Sequence, residues 1–208
     1  MSRRAPTRVD NLRSAVAEEA ARLMAEHGIQ DFRIAKKKAA ERYGVVEGSI
    51  LPKNTEIEAA LVARQRLFGL QQHEHSLDEQ RRVAVTAMRL LRNFEPRLVG
   101  SVLSGSATEY ADIQLHVFSD NPEAVFLHLM DNRYDYEVLE RKLKMQSDRQ
   151  VAVPAARFAM GEETIEAFVF PMDGIRQAPV SPVDGKPMRR ATLSEVQGLR
   201  EVGAQPMG

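Results

Sequence analysis

Three polar side chains alternate with apolar ones in the segment DIQLHV, residues 112 to 117. Successive side chains of a β-strand point to opposite faces, so Asp112, Gln114 and His116 are expected on one face of a strand. A carboxylate, an amide oxygen and an imidazole on one face could bind a divalent cation, and the imidazole would favour a softer ion than Mg²⁺. The simpler alternatives are that Asp112 caps a turn, that Gln114 is solvated and that His116 is hydrogen-bonded at the surface.

A run of small residues precedes this segment. Gly100 and Ser101 follow the apolar pair Leu98-Val99, and Gly105 comes shortly afterwards. Two apolar runs, 98 to 103 and 113 to 118, flank the small and polar residues, which predicts a strand, a turn and a second strand. The polar face of the second strand is then expected to face water or a cleft, and its apolar face the core.

The combined spacing resembles the motif of the nucleotidyltransferase superfamily, which includes DNA polymerase beta and the minimal antibiotic and tRNA nucleotidyltransferases. That motif has an apolar residue, Gly and Ser, then a spacer with a second Gly, then an acid, an apolar residue, an acid and an apolar residue. The chain has Val99-Gly100-Ser101, then Gly105, then Asp112-Ile113-Gln114-Leu115. Gln114 stands in the position of the family's second metal-binding carboxylate. Two longer segments, LPKNTEIEAAL and RQAPVSPVDGKPMRRA, are similar to a group of short bacterial proteins built on this fold.

The resemblance implies a nucleoside triphosphate (NTP) as ligand, with Gly100, Ser101 and Gly105 as nucleotide-binding residues, and Mg²⁺ or Mn²⁺ as cofactor if the protein is active. The candidates for metal binding are the three polar residues of the second strand, Asp112, Gln114 and His116. Transfer of a nucleoside monophosphate in this family needs two divalent ions, and a neutral amide is a weaker ligand for a hard cation than a carboxylate. The resemblance therefore implies a nucleotidyltransferase-like protein that binds a nucleotide or nucleic acid, with weak or lost metal-dependent transfer.

The resembled family takes a third carboxylate from a later strand, and Glu166 is the candidate for it. Glu166 is an acid within the otherwise apolar run of residues 165 to 170, and with Asp112 it would form the catalytic pair. A buried carboxylate without a partner is costly, so Glu166 is expected in a cleft or in an ion pair. The alternative is an edge strand on which Glu166 faces water.

Two alternative functions stay open at this stage. The first is an active, divergent nucleotidyltransferase that uses an NTP and one or two divalent ions. The second is a helical interaction or regulatory protein that binds no nucleotide. Retention of Gly100, Ser101 and Asp112 favours a nucleotide site, whereas Gln114 favours weak or lost transfer.

Composition limits the other possibilities. The 208 residues carry 29 basic and 29 acidic side chains, so no general attraction to nucleic acid or membrane is implied. The absence of cysteine excludes thiolate nucleophiles, disulfides and thiolate zinc sites. No apolar run is long enough to cross a membrane, and the basic start is not followed by an apolar stretch. A cytoplasmic protein with no membrane partner is therefore expected.

A small sheet must position the polar residues, and the rest of the chain predicts how it is built. The expected fold class is α+β, with a helical N-terminal region in residues 1–95 followed by a small mixed β-sheet in residues 96–170. The resemblance implies that this sheet is of nucleotidyltransferase type. Residues 171–208 are rich in Pro and Gly and predict an extended strap with a short C-terminal helix.

Within the sheet region, a helix is expected from Pro122 and a strand around Tyr136. Residues 151–159 and 164–170 predict a hairpin. In the helical region, two capping boxes predict the starts of the third and fourth helices, Thr55 with Glu58 and Ser76 with Glu79. Gly69 would end the third helix, and the sequence His73-Glu74-His75 would then lie in a polar linker.

The second helix is strongly basic, and its cations are Arg33, Lys36, Lys37, Lys38 and Arg42. They are candidates for binding the phosphate backbone of nucleic acid, with RNA among the candidate partners. The alternative is a solvated helix face, since no aromatic residues interleave to stack bases. A helix-turn-helix DNA reader is a further alternative, although it lacks a base-reading signature.

Overall fold

The computed structural model describes residues 7–45, 50–68, 70–146 and 149–203. They form an α+β structure with a helical N-terminal region and a mixed five-stranded sheet, which confirms the predicted fold class. The predicted helix end at Gly69 lies outside the described residues.

The chain divides into two compact units. The helical unit takes the described residues up to His73, together with the short segments Thr108–Tyr110 and Pro182–Asp184. The sheet unit takes the other described residues, starting at Glu74. Among the described helices, none is both long and apolar enough to cross a bilayer.

Three helices form the helical unit, α1 (Arg8–His27), α2 (Phe32–Arg42) and α3 (Asn54–Phe68). A capping box between Thr7 and Asp10 begins α1, and Gly28 in the left-handed conformation ends it. Helix α1 packs against both α2 and α3 through small, fully buried side chains such as Ala20 and Ala35. The close packing of these alanines explains why so short a basic helix as α2 is held in place.

The start of α3 differs from the prediction. The helix begins at Asn54 instead of following a cap at Thr55, so the predicted capping box is wrong. The Glu56 carboxylate accepts the backbone N–H of Lys53 at 2.7 Å and satisfies one of the free donors at this helix end.

Helix α4 spans Leu70–Leu90. The predicted helix start at Ser76 is therefore wrong, and the segment His73-Glu74-His75 lies inside the helix instead of in a linker. These residues are polar but include neither Gly nor Pro, so nothing in them stops a helix. Ala84 and Met88, in the second half of α4, lie in the core of the sheet unit, which therefore begins well before residue 96.

The sheet unit is built from five strands and the helices between them. In chain order its elements are β1 (Arg97–Val99), α5 (Gly100–Ser104), β2 (Ile113–Phe118), α6 (Pro122–Asp131), β3 (Tyr136–Lys144), β4 (Gln150–Met160), β5 (Glu163–Phe170) and α7 (Leu193–Gly203). The strand order is β1-β2-β5-β4-β3, with β2 and β5 parallel and all other neighbours antiparallel. The predicted α6 and the predicted β4–β5 hairpin are confirmed.

The prediction of a strand over residues 98–103 is wrong, because β1 ends at Val99 and α5 follows it directly. The chain turns at Gly100, where φ is 73°, a left-handed conformation that glycine adopts without a steric penalty. Helix α5 then ends at Gly105, also left-handed. Val102 and Leu103 are buried by this short helix, so the apolar run correctly indicated burial but not strand structure.

The two faces of the sheet have different surroundings. One face carries the main core, which includes Leu115 and Ile165 and is covered by α4, α6 and α7. The other face, called here the second face, carries a smaller cluster of Phe118, Val153, Ala155, Phe168 and Phe170. Gln114 and His116 belong to the second face, because they alternate with the core residues of β2.

Residues 171–191, called here the strap, return from β5 to β1. The backbone of Ala191 exchanges two hydrogen bonds of 2.9 Å with Leu98, and the N–H of Val180 donates to the carbonyl of Lys144 at 2.7 Å. Thr192 and Glu195 then form a cap at the start of α7. The strap therefore holds β1 at one sheet edge and β3 at the other.

Candidate functional site

The parallel register of β2 and β5 makes Gln114 and Glu166 direct neighbours. Asp112 lies immediately before β2, so the acid, the amide and the later acid occupy one end of the second face. The alternative of an edge strand is wrong for Glu166, because β5 lies between β2 and β4 and the Glu166 side chain is only 6% exposed. Glu166 is therefore a buried carboxylate that needs a partner.

Both carboxylates are paired with arginines. The Nη2 of Arg157 donates to both carboxylate oxygens of Asp112 at 3.4 Å. The Nε of Arg141 donates to Glu166 Oε1 at 2.5 Å. The arginine side chains are 42% and 44% exposed, against 14% and 6% for the two carboxylates. The guanidinium groups thus lie on the solvent side of the acids that they neutralise.

Gly100 packs directly against Gln114. A Cβ atom at position 100 would lie 2.7 Å from Gln114 Oε1, closer than real Cβ contacts allow. The backbone N–H of Gly105 donates to the carbonyl of Ser101 at 2.8 Å, which closes the turn of α5. The three predicted nucleotide-binding residues therefore form one short turn of backbone beside the end of β2 that carries Asp112.

His116 is on the predicted face but is only 1% exposed. Its ring lies between Phe168 and Phe170, and its Nδ1 accepts a hydrogen bond of 2.9 Å from Arg190 Nε. Burial, and secondarily the charge of Arg190, lowers the pKa of His116 to about 3. His116 is therefore a neutral acceptor at pH 7, and its contacts do not favour the surface or metal-ligand interpretations.

Arg190 comes from the strap and holds this buried imidazole. Its Nη1 donates to the carbonyl oxygens of Gly174 and Ile175 at 2.8 and 3.1 Å. Its guanidinium carbon lies 5.0 Å from the ring centre of Phe118 and 5.2 Å from that of Phe170. Burial, with a smaller effect from the charge of Arg97, lowers the pKa of Arg190 to about 10.

The residues present do not fit the two-ion site that the resemblance implies. Asp112 and Glu166 are already paired with guanidinium groups, and the position between them is a neutral amide. No three His, Cys, Asp or Glu side chains of the described segments cluster to hold a metal. Two divalent ions would need negative charge that this donor set does not offer.

The basic residues of α2 are not equivalent. Arg42 Nη1 donates to Glu19 Oε1 at 2.8 Å, within the helical unit, and Lys36 is half-buried. Burial lowers the pKa of Lys36, with an opposing effect from the charge of Glu56. The other three cations, Arg33, Lys37 and Lys38, are exposed. In the part of the chain that the structure describes, none of these three forms an ion pair.

The described residues line a groove in the helical unit and an open depression on the sheet unit. A groove of about 630 Å³ lies between α1 and α3, and an ion pair of 3.0 Å between Arg13 and Glu56 lies in its wall. It contains none of the predicted site residues. An open depression of about 450 Å³ on the sheet unit is bordered by Glu137, Arg157 and Thr164, next to the Asp112 pair.

Sequence reasoning missed Arg141 and Arg157. Arg157 breaks the apolar run of β4 in the same way that Glu166 breaks that of β5, and the two residues are direct neighbours in the sheet. A charged residue in each of two paired apolar strands is a signal that could have been used. The pairing of Arg190 with His116 was not predicted, because the two residues lie 74 positions apart in the sequence.

The chain shows only slight similarity to known proteins. No protein-family model and no curated protein matches the chain. The Cid1 poly(U) polymerase with MgGTP bound aligns over 45% of this chain and 32% of its own, at 16% identity and a TM-score of 0.33. A cytoplasmic RNA terminal U-transferase aligns over 46% of this chain and 27% of its own, at 19% identity and a TM-score of 0.28. The chain spans less than a third of either enzyme, and likenesses this slight do not support a function.

Proposed function

We propose that the protein binds a nucleotide on the second face of the sheet and that metal-dependent nucleotidyl transfer there is weak or lost. The observation that supports this is the row formed by Gly100, Gln114 and Glu166. Gly100 contacts the Gln114 side chain, and Gln114 is the direct neighbour of Glu166 across β2 and β5. Motif residues that are far apart in the sequence therefore meet at one end of the sheet.

The geometry is better suited to phosphate binding than to nucleotidyl transfer. Gly100 has no side chain, so an anion that displaces the Gln114 amide can approach the backbone of the turn that Gly100 and Ser101 form. Transfer needs metal ions that offset the charge of the triphosphate and activate the acceptor. Asp112 and Glu166 are engaged by arginines, and Gln114 carries no charge, so this requirement is poorly met.

Thermal unfolding of the full chain tests the proposal. The melting temperature is measured with each of the four NTPs, in EDTA and in Mg²⁺ or Mn²⁺, for wild type and Asp112→Ala. A nucleotide at about a hundred times its dissociation constant should stabilise the folded chain by roughly 2.7 kcal/mol. Asp131→Ala, at the exposed end of α6, is the matched control, since α6 packs on the opposite face.

The expected result is a shift with at least one NTP that Asp112→Ala reduces and Asp131→Ala keeps. Incorporation of labelled nucleotide into RNA should be weak or undetectable in the same preparation. No shift with any NTP would overturn the proposal. It would favour the alternative of a helical interaction or regulatory protein that binds no nucleotide. Robust incorporation, abolished in Asp112→Ala, would instead establish the active transferase.

A second candidate function is contact with nucleic acid through α2, which the exposed cations Arg33, Lys37 and Lys38 favour. Single-stranded RNA binding is measured against salt for wild type and for the variant with all three changed to Ala. Loss of three phosphate contacts should lower the slope of log affinity against log salt by about 2. Arg82→Ala, an exposed cation of α4, is the control. Identical slopes in all three proteins would remove this candidate.

A further inference from the structure

The second face carries two arginines where a nucleotidyltransferase would need divalent cations. We propose that Arg141 and Arg157 bind the phosphate chain of the nucleotide directly, so that binding at this site requires no metal ion. This inference rests on the proposed function and names the groups that carry it. Asp112 and Glu166 act in it as positioning residues for the arginines.

The sheet register places Arg157 in line with the motif. Arg157 on β4 is the direct neighbour of Glu166 on β5, and Glu166 is the direct neighbour of Gln114 on β2. The three side chains thus form one row across three adjacent strands of the second face. Arg141 reaches the same acid from β3, the strand at the sheet edge. Both guanidinium groups are therefore anchored at the row that begins beside Gly100.

Arg141 and Arg157 each have N–H groups that their ion pairs do not use. A guanidinium carries five N–H groups in a planar fork that matches phosphate oxygens. Within the described structure, Arg157 uses only Nη2, in two long bonds of 3.4 Å, and Arg141 uses only Nε. The side chains of both arginines are more than two-fifths exposed, whereas the acids lie beneath them. An anion that arrives from solvent therefore meets these guanidinium donors before it meets Asp112 or Glu166, while the exposed Glu137 is the direct β3 neighbour of Arg157.

Gln114 is a neutral side chain beside the two ion pairs. A carboxylate at this position would bind a metal but would repel phosphate in the absence of one. The amide removes that negative charge, so the two ion pairs, Gln114 and Glu137, the β3 neighbour of Arg157, together contain two guanidinium groups, three carboxylates and a neutral side chain. A substitution that weakens a metal site thus favours an anion site that arginines provide. Bidentate hydrogen bonds from Arg to phosphate are strong and geometrically specific.

The test is titration calorimetry of the full chain with ATP, and separately with inorganic tripolyphosphate, in EDTA and in Mg²⁺. The expected result is ATP binding of equal affinity in both media, weakened about tenfold or more in Arg157→Met. Arg157→Lys keeps the charge but loses the fork, so it should recover only part of that affinity. Arg82→Met is the matched control and should bind as wild type does.

Arg141 needs a different design, because its removal leaves the buried Glu166 without a partner and should strongly destabilise the sheet unit. The double variant Arg141→Met with Glu166→Gln removes both charges and keeps the volume. It should remain folded by circular dichroism and lose ATP affinity in EDTA. Gln114→Asp combined with Arg157→Ala tests the converse, since it restores a carboxylate and removes a competing cation. This variant should bind ATP better in Mg²⁺ than in EDTA.

The outcomes separate this inference from the proposed function. ATP binding that occurs only with Mg²⁺, or that Arg157→Met leaves unchanged, overturns the role of the arginines while a nucleotide site stands. Tripolyphosphate binding without ATP binding shows an anion site and overturns the assignment to a nucleotide. The absence of any ATP binding in both media overturns the proposed function itself, and this inference with it.

Discussion

Acidification should destabilise the sheet unit through His116, and the size of the effect follows from its surroundings. The imidazole is 1% exposed, lies between Phe168 and Phe170, and accepts a hydrogen bond from Arg190. Burial disfavours the protonated imidazole, and to a smaller extent the charge of Arg190 repels it, which is why the pKa of His116 falls to about 3. In the unfolded chain the pKa of a histidine is about 6.5.

The folded pKa is lower than the unfolded one, so the stabilisation is fully present above pH 6.5 and is lost as the pH falls towards 3. At pH 5 almost all unfolded chains carry a proton on this imidazole, whereas the folded chains do not. The free energy of unfolding should therefore fall by about 2 kcal/mol between pH 7 and pH 5 from this residue alone. Most carboxylates titrate below this window, which keeps their contribution small.

The assay is hydrogen exchange of the β2 and β5 backbone amides at several pH values, corrected for intrinsic exchange rates. His116→Asn is the control, since its Oδ1 can replace Nδ1 as acceptor for Arg190 without titrating in this range. The quantity of interest is the difference between the two proteins, because other titrating groups cancel in it. A difference that stays constant from pH 7 to pH 5 would refute the argument, as it would show that His116 takes up a proton in the folded state.

Three further changes have expected effects on stability. Gly100→Ala should cost about 1–2 kcal/mol in thermal unfolding because φ is 73°, and adding Gln114→Ser should recover only the part due to the 2.7 Å contact. Glu19→Gln should lower the free energy of unfolding by about 1–3 kcal/mol at pH 7. The reason is that Glu19 is only 8% exposed and accepts hydrogen bonds from Arg22 and Arg42. The pKa of Glu19 is lowered to about 2, chiefly by the hydrogen bond from Arg22. The difference in unfolding free energy between wild type and variant, measured in urea, should therefore shrink as the pH falls from 4.5 towards 2. Leu115→Ala, fully buried in β2, should cost about 2–5 kcal/mol in urea unfolding without abolishing the fold of the helical unit.

Local patterns in the sequence predicted much of the sheet unit. The alternation from Asp112 to Val117 placed Gln114 and His116 on one face, and Pro122 marked the start of α6. Each of these features depends on residues within one or two turns of chain, where propensity and periodicity act. The same patterns did not distinguish β1 from α5, because an apolar run of β-branched and aliphatic residues suits a buried strand and a buried helix equally.

The ion pairs of the site could not be predicted in this way. They depend on the register of β5 between β2 and β4, and register is set by long-range packing. Arg157 reaches Asp112 across 45 residues, and Arg190 reaches His116 across 74. A single sequence gives the types of the charged residues but not which strands become neighbours. The environment of His116 was missed for the same reason, since its partner comes from the strap.

The arginines and Gln114 are best understood as one electrostatic arrangement. Glu166 lies on an interior strand, and its buried charge requires a cation nearby whatever the protein does. In a two-ion site a metal would supply that cation, and a second carboxylate would help to hold it. With an amide at position 114 a metal would be held less well, and the cation beside Glu166 is the side chain of Arg141, whose Nε donates to Oε1 at 2.5 Å. Introducing a carboxylate alone, as in Gln114→Asp, should therefore strengthen the existing contacts with the arginines more than it creates a metal site. Gain of Mg²⁺ binding should require that Arg157 be removed as well, and Mg²⁺ binding by Gln114→Asp alone would contradict this coupling.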